Sequence, residues 1–147
     1  MPPFIEVVRH PYEEPHHLNL VVTASNGLQS AGLEIYANAT ELGTYANALR
    51  GVARRTTEAL CELGSERSED NFAYYFRLRA HQLSGTGQCA VEIRFNNNRP
   101  PPDREVSEFS IQALPADLDR LAALFEQFGR LEHRKLIWKV TTGELQE

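Results

Sequence analysis

Residues 33–52 read Leu33-Glu34-Ile35-Tyr36-Ala37, then Asn38-Ala39-Thr40, then Leu42, Tyr45, Leu49 and Val52. Residues 109–128 read Phe109-Ser110-Ile111-Gln112-Ala113, then Leu114-Pro115-Ala116-Asp117, then Leu118, Leu121, Phe125 and Phe128. In both stretches apolar residues alternate, a joint follows, and the spacing changes from two to about 3.6 residues. Each stretch predicts a strand that runs into a helix, and the copies lie about 76 residues apart. A strand face and a helix stripe have to be buried together in both.

Upstream of the first unit, Phe4 to Arg9 predicts a short strand, and two prolines break the chain between His10 and Pro15. Leu18, Leu20, Val22 and Ala24 alternate, Asn26-Gly27 follows, and a second extended run begins at Leu28. Asn-Gly between such runs predicts a hairpin with a type I′ turn, which needs positive φ at both central residues. Asn38 or Thr40 is placed to cap the first helix, with Glu41 favourable in its first turn.

Residues 57–63 permit either more helix or a strand with Ala59, Cys61 and Leu63 inward. The paired threonines and Gly64 favour the strand. A charged loop from Ser65 to Asn71 precedes the clearest alternation in the chain. Phe72, Tyr74, Phe76, Leu78 and Ala80 share one face, against Ala73, Tyr75, Arg77, Arg79 and His81 on the other. Ser84-Gly85-Thr86-Gly87 turns the chain, and Cys89, Val91, Ile93 and Phe95 then oppose Ala90, Glu92, Arg94 and Asn96. One packed and one polar face mark an antiparallel meander.

Asn96 to Asp103 is a long joint in which Pro100 to Pro102 should run extended. The second strand-helix unit follows, with Pro115 as a natural first helical residue and Gly129 as a stop. Leu136 to Val140, carrying Trp138, predicts a last strand before a polar tail. Strands punctuated by two helices, without βαβ alternation, predict a single α+β domain. Its core would be one twisted antiparallel sheet of about six to eight strands with both helices on its apolar face. The other face would be open or would meet a second copy of the chain.

Composition limits the functional classes. The 147 residues, 41% hydrophobic and 24% charged, suit an ordinary globular domain able to bury a core without staples. A net charge of -5 argues against nucleic-acid and anionic-membrane surfaces, and the pairs Arg54-Arg55 and Arg134-Lys135 form no basic stripe. The beginning, Met1 to Glu6, has neither the basic nor the apolar part of a secretory signal. Two cysteines make no disulfide framework, and Cys89 lies in phase with core positions. A reducing cytoplasmic setting is the expectation.

Catalytic and cofactor motifs are not evident. His10, Glu13, Glu14, His16 and His17 are possible zinc ligands by type, but lie in a proline-broken loop without metal-site spacing. Gly85-Thr86-Gly87 precedes no helix and so predicts no phosphate cradle. No Gly-x-Ser-x-Gly occurs. The polar meander face carries Tyr75, Arg77, Arg79 and His81 beside Glu92 and Arg94, with Glu108 and Ser110 on the next strand. This face reads either as solvated charge pairs or as a recognition surface, since Arg and Tyr are enriched where proteins dock. The stiff loop bearing Arg99 is a possible contact tip.

Further pieces carry a resemblance: Tyr45-Ala46-Asn47-Ala48-Leu49, Glu62-Leu63-Gly64, Phe76-Arg77-Leu78-Arg79, Gly87-Gln88-Cys89-Ala90-Val91-Glu92-Ile93, and the unit from Phe109 to Phe128. In this order, over roughly residues 17–130, they resemble small uncharacterised bacterial families that include immunity proteins of the WapI-inhibitor type. The resemblance implies a binding role, neutralising a toxin by covering it, and carries no specific functional residue. Two other expectations stand beside it. One is a small-molecule binder or enzyme with a pocket near Tyr45, Tyr74 and Trp138; the other is a homodimer formed through the open sheet face.

Overall fold

The computed structural model describes residues 2–54, 58–83 and 87–147. Along these residues run β1 (Phe4–His10), β2 (Leu18–Ser25), β3 (Ser30–Ala37), α1 (Ala39–Ala53), β4 (Ala59–Gly64), β5 (Tyr75–Gln82), β6 (Cys89–Asn96), β7 (Val106–Ala113), α2 (Pro115–Phe128), β8 (Lys135–Lys139) and β9 (Thr142–Gln146). Every pairing is antiparallel. The α+β class is the one expected. The strands, however, are nine among the described residues, and they divide into two sheets, ordered β3-β2-β1-β8-β9 and β4-β5-β6-β7.

The division follows from the repeat, which is larger than its sequence signature. β1-β2-β3-α1 corresponds to β5-β6-β7-α2, and after each helix the chain crosses into the other half's sheet. β4 pairs with β5 of the second half, and β8 pairs with β1 of the first. Alternation identifies a strand's buried face but not its neighbour, so this exchange is invisible in local pattern.

The helix starts repeat with one difference. Asn38 caps α1: its side chain accepts from the Glu41 N–H at 2.8 Å, and Glu41 accepts from the Asn38 N–H at 2.8 Å, a reciprocal box. At α2 the Asp117 carboxylate accepts from the Leu114 N–H at 2.9 Å, so half of the box is kept. Leucine has no acceptor to supply the other half.

One core joins both sheets and both helices. Ile5, Val7, Leu20, Val22, Leu136 and Trp138 line the first sheet; Phe76, Leu78, Val91, Ile93, Phe95 and Ile111 line the second. Leu42, Tyr45, Leu49, Leu118, Leu121 and Phe125 fill the space from the helices, with the Tyr45 and Phe125 rings edge-on at 5.7 Å. Three side chains at its margins find partners for their polar groups. The Tyr45 hydroxyl donates to the Leu78 carbonyl, Trp138 Nε1 donates to the Asp117 carbonyl, and the Arg9 guanidinium donates to the carbonyls of Leu131 and His133 and to Glu14.

Several local expectations are corrected. The Asn26-Gly27 hairpin exists, but its loop spans residues 26–29, and of the two only Gly27 has positive φ. The Asn26 side chain accepts from the N–H groups of Leu28 and Gln29, which stabilises the wider loop in place of a type I′ turn. Leu28 lies in that loop, almost fully exposed. Phe72 and Tyr74 precede β5 instead of belonging to it, and Phe72 is half exposed. The Tyr74 hydroxyl accepts from the Tyr36 N–H on the free edge of β3. Pro100 to Pro102 is not extended: the Asp103 N–H donates to the Pro100 carbonyl and closes a turn. The polar tail is the strand β9. The strand reading of residues 57–63 holds from Ala59, while the turn at Ser84 to Thr86 and the threonines at 56 and 57 lie outside the described residues.

Candidate functional site

Period-two alternation puts the predicted site residues of β5 and β6 on the outer face of the second sheet. The antiparallel register stacks them into rows. Glu62, Arg77, Arg94 and Glu108 form one row across four strands; Leu60, Arg79, Glu92 and Ser110 form the next. The first sets two guanidinium groups side by side with a carboxylate at each end. Phe76, Val91 and Phe95 are buried beneath, whereas Arg77 and Glu92 keep about a quarter of their side-chain surface exposed.

The charges on this face are largely committed to one another. Arg77 donates to Glu92 at 2.8 Å and to Glu108 at 2.5 Å; Arg79 pairs with Glu58 and, at 3.6 Å, with Glu92. Arg94 pairs with Glu66 at 2.8 Å and Glu108 at 3.5 Å. The Tyr75 hydroxyl donates to Glu62 at 2.6 Å, and burial followed by this bond raises its pKa. Glu92 is held between two guanidinium groups, and His81 faces Ala90 across the strands. Exposed pairs of this kind contribute about 0.2–1 kcal/mol each. The centre of the face is therefore a lattice of paired charges.

At one end of the sheet the arrangement changes. The loop from Ser65 to Ala73, with a 3₁₀ turn at Ser68–Asp70, and the loop from Asn97 to Glu105 fold toward each other. Asn98, at positive φ, donates to the carbonyls of Ser65 and Phe72 and so ties the two loops together. Asn96 and Arg94 both donate to Glu66; although partial burial opposes it, these bonds hold the Glu66 carboxyl below its ordinary range. Between the loops lies a notch of 510 Å³ lined by Arg67, Arg94, Arg99, Arg104 and the half-exposed Phe72, among others. Arg67 is paired with Asp70, but Arg99 and Arg104 have no ion-pair partner among the described residues.

The structure thus brings Arg94 and Arg99 together at the notch. Tyr75, Arg77, Arg79 and Glu92 lie on the paired lattice, and His81 sits at its far end. Sequence reading missed Arg67, Phe72, Asn98 and Arg104. The run Asn96-Asn97-Asn98 carried a signal for them, since asparagine tolerates positive φ and bonds its own backbone in tight loops.

The remaining expectations concern cavities and metals. The interior space between sheets and helices is 40 Å³ and apolar, with Tyr45 on its wall, while Trp138 is packed elsewhere. Small-molecule sites are usually about 300–1,000 Å³. No group of three His, Cys, Asp or Glu side chains is placed to hold a metal ion among the described residues, and no described helix is long and apolar enough to cross a membrane. Compared with known proteins, the chain matches no family model, no curated protein and no solved structure.

Proposed function

We propose that this chain is a non-enzymatic binding protein that engages a protein partner over the outer face of the second sheet. The notch receives an acidic group of that partner. The observation that carries this reading is the pair of unengaged guanidinium groups, Arg99 and Arg104, converging with Arg67 and Arg94 beside an exposed aromatic ring. Planar guanidinium forks suit bidentate carboxylate recognition, and a neighbouring phenyl ring supplies apolar contact at the centre of an interface. The lattice of Arg77, Arg79, Glu92 and Arg94 then acts as a rim that sets register more than affinity. In the finer reading the partner is a toxin and the chain its cytoplasmic antidote, as the resemblance to immunity proteins implies.

The test is retention of a co-encoded protein. Immobilised chain should retain the product of a gene adjacent to its own, and the double charge reversal R99E/R104E should weaken that complex at least about tenfold. Retention unchanged by the reversal, or no co-encoded protein retained at all, refutes the reading. A homodimer is the second reading, favoured by the outer face of the first sheet. There Phe4, Val8, Val21 and Ile137 are only partly buried, interspersed with Glu6, Lys135 and Lys139.

A further inference from the structure

The repeat supplies its own measure of what each half lacks. In the second half, β8 is followed by a tight turn, and β9 returns along its free edge. β9 also rests on α2: a Cβ placed on Gly143 would stand 2.7 Å from Leu124 Cδ1 and 3.3 Å from Arg120 Cδ. In the first half, β4 corresponds to β8 and pairs with β5 alone. At Gly64, where φ is +81° and an added Cβ would meet the Tyr74 carbonyl oxygen at 2.0 Å, the chain turns the opposite way. It goes on to β5, so among the described residues no strand pairs with the other edge of β4.

What remains at the place corresponding to β9 is a groove of 290 Å³ between α1 and β4, lined by Thr44, Ala48, Leu60, Cys61, Glu41 and Glu62, among others. Thr44 and Ala48 occupy the helix positions that Arg120 and Leu124 occupy in α2. The smaller side chains leave room for an aliphatic residue where β9 has to carry glycine. Leu60 is exposed beside it. The charges on the groove wall are acidic: Glu41 is bound to a backbone N–H and Glu62 to a tyrosine hydroxyl, and neither has a cationic partner among the described residues. Burial and then these two carboxylates push the Cys61 thiol up to about 12.

We infer that the groove between α1 and β4 is the seat of an added strand, an extended segment of a partner protein that alternates aliphatic and basic residues. It pairs antiparallel with β4 as β9 pairs with β8, sets an aliphatic side chain over Ala48, and places lysine or arginine against Glu41 and Glu62. Backbone pairing to an open sheet edge supplies affinity, and the pocket beneath it selects side chains. A second copy of this chain is the poorer occupant, because β4 against β4 would bring Glu62 and Glu41 toward their own duplicates.

The probe is a fluorescein-labelled octapeptide of four Lys-Val repeats. Anisotropy should show micromolar binding to the full chain, with slowed amide hydrogen exchange confined to residues 59–64. The double variant T44R/A48L, which places the α2 residues on α1, should weaken binding at least about tenfold; Thr44 is exposed and Ala48 partly buried, and an unchanged thermal melt checks that the variant folds. The corresponding Glu-Val octapeptide should not bind, and R99E/R104E should bind the Lys-Val peptide as the native chain does. The inference is overturned by absent binding, by binding that T44R/A48L leaves unchanged, or by equal binding of the acidic peptide. Protection on β7 instead of β4, or a dimer in light scattering that T44R/A48L abolishes, overturns it in favour of another edge or of a second copy.

Discussion

The half from Phe4 to Gly64 and the half from Tyr75 to Gln146 run through the same elements, yet only the second closes its own edge. β8 carries Leu136 and Trp138, both fully buried, and β9 lies along its flank. β4 offers Cys61 and Leu63 at the matching positions, both partly exposed, and among the described residues no strand pairs with its second edge. The difference comes from connectivity. β4 is an internal strand whose chain has to continue toward β5, whereas the segment after β8 is free to fold back. One repeat is thus specialised for packing, and the other keeps a strand with one open edge.

Deleting the best-packed side chain tests that contrast most severely. W138A should cost about 3–5 kcal/mol, since it empties a buried site and removes the indole hydrogen bond to the Asp117 carbonyl. L63A, at the corresponding place, should cost about 1 kcal/mol. Urea unfolding measures both, and equal losses would show that the halves are packed alike.

A smaller contrast lies at the helix starts. N38A should cost about 1 kcal/mol by removing the Asn38 half of the capping box. L114N should add about 0.5 kcal/mol by supplying the side-chain acceptor that α2 lacks, at a position where the leucine is half exposed. Thermal melts of both variants compare the caps directly, and a destabilised L114N would mean that Leu114 packs usefully where it is.

The smallest effect is expected at the notch, in its pH dependence. The folded-state pKa of Glu66 is depressed, so its contribution is present above the ordinary carboxylate range and disappears as pH falls through the folded value. Acidification should therefore loosen the loop from Ser65 to Ala73, followed by the Asn96 side-chain amide resonances. E66Q should remove that acid-side transition, and an unchanged titration in E66Q would assign it to another group.

Much of this was legible in the residues. Both strand-helix units, the cap at Asn38, the stop after Phe128 and the inward faces of β5 and β6 follow from side-chain periodicity and local hydrogen bonding. These depend on neighbours a few positions away. The charged residues of the meander were correctly placed on the outer face for the same reason. The notch was not legible, because Arg67, Phe72, Arg99 and Arg104 come from two loops whose approach depends on Asn98 reaching carbonyls some thirty residues back along the chain.

The amino-acid order by itself determined the class of the fold, the two repeated units and the sign of each strand's outer face. Those properties are set by backbone periodicity and by the cost of burying charge. Tertiary structure alone decided that the strands form two sheets, that β4 and β8 exchange between them, and that one exchanged strand is covered while the other stays open. Strand partners are chosen among many segments with similar patterns, and the choice rests on how both helices and both sheets fill one core together.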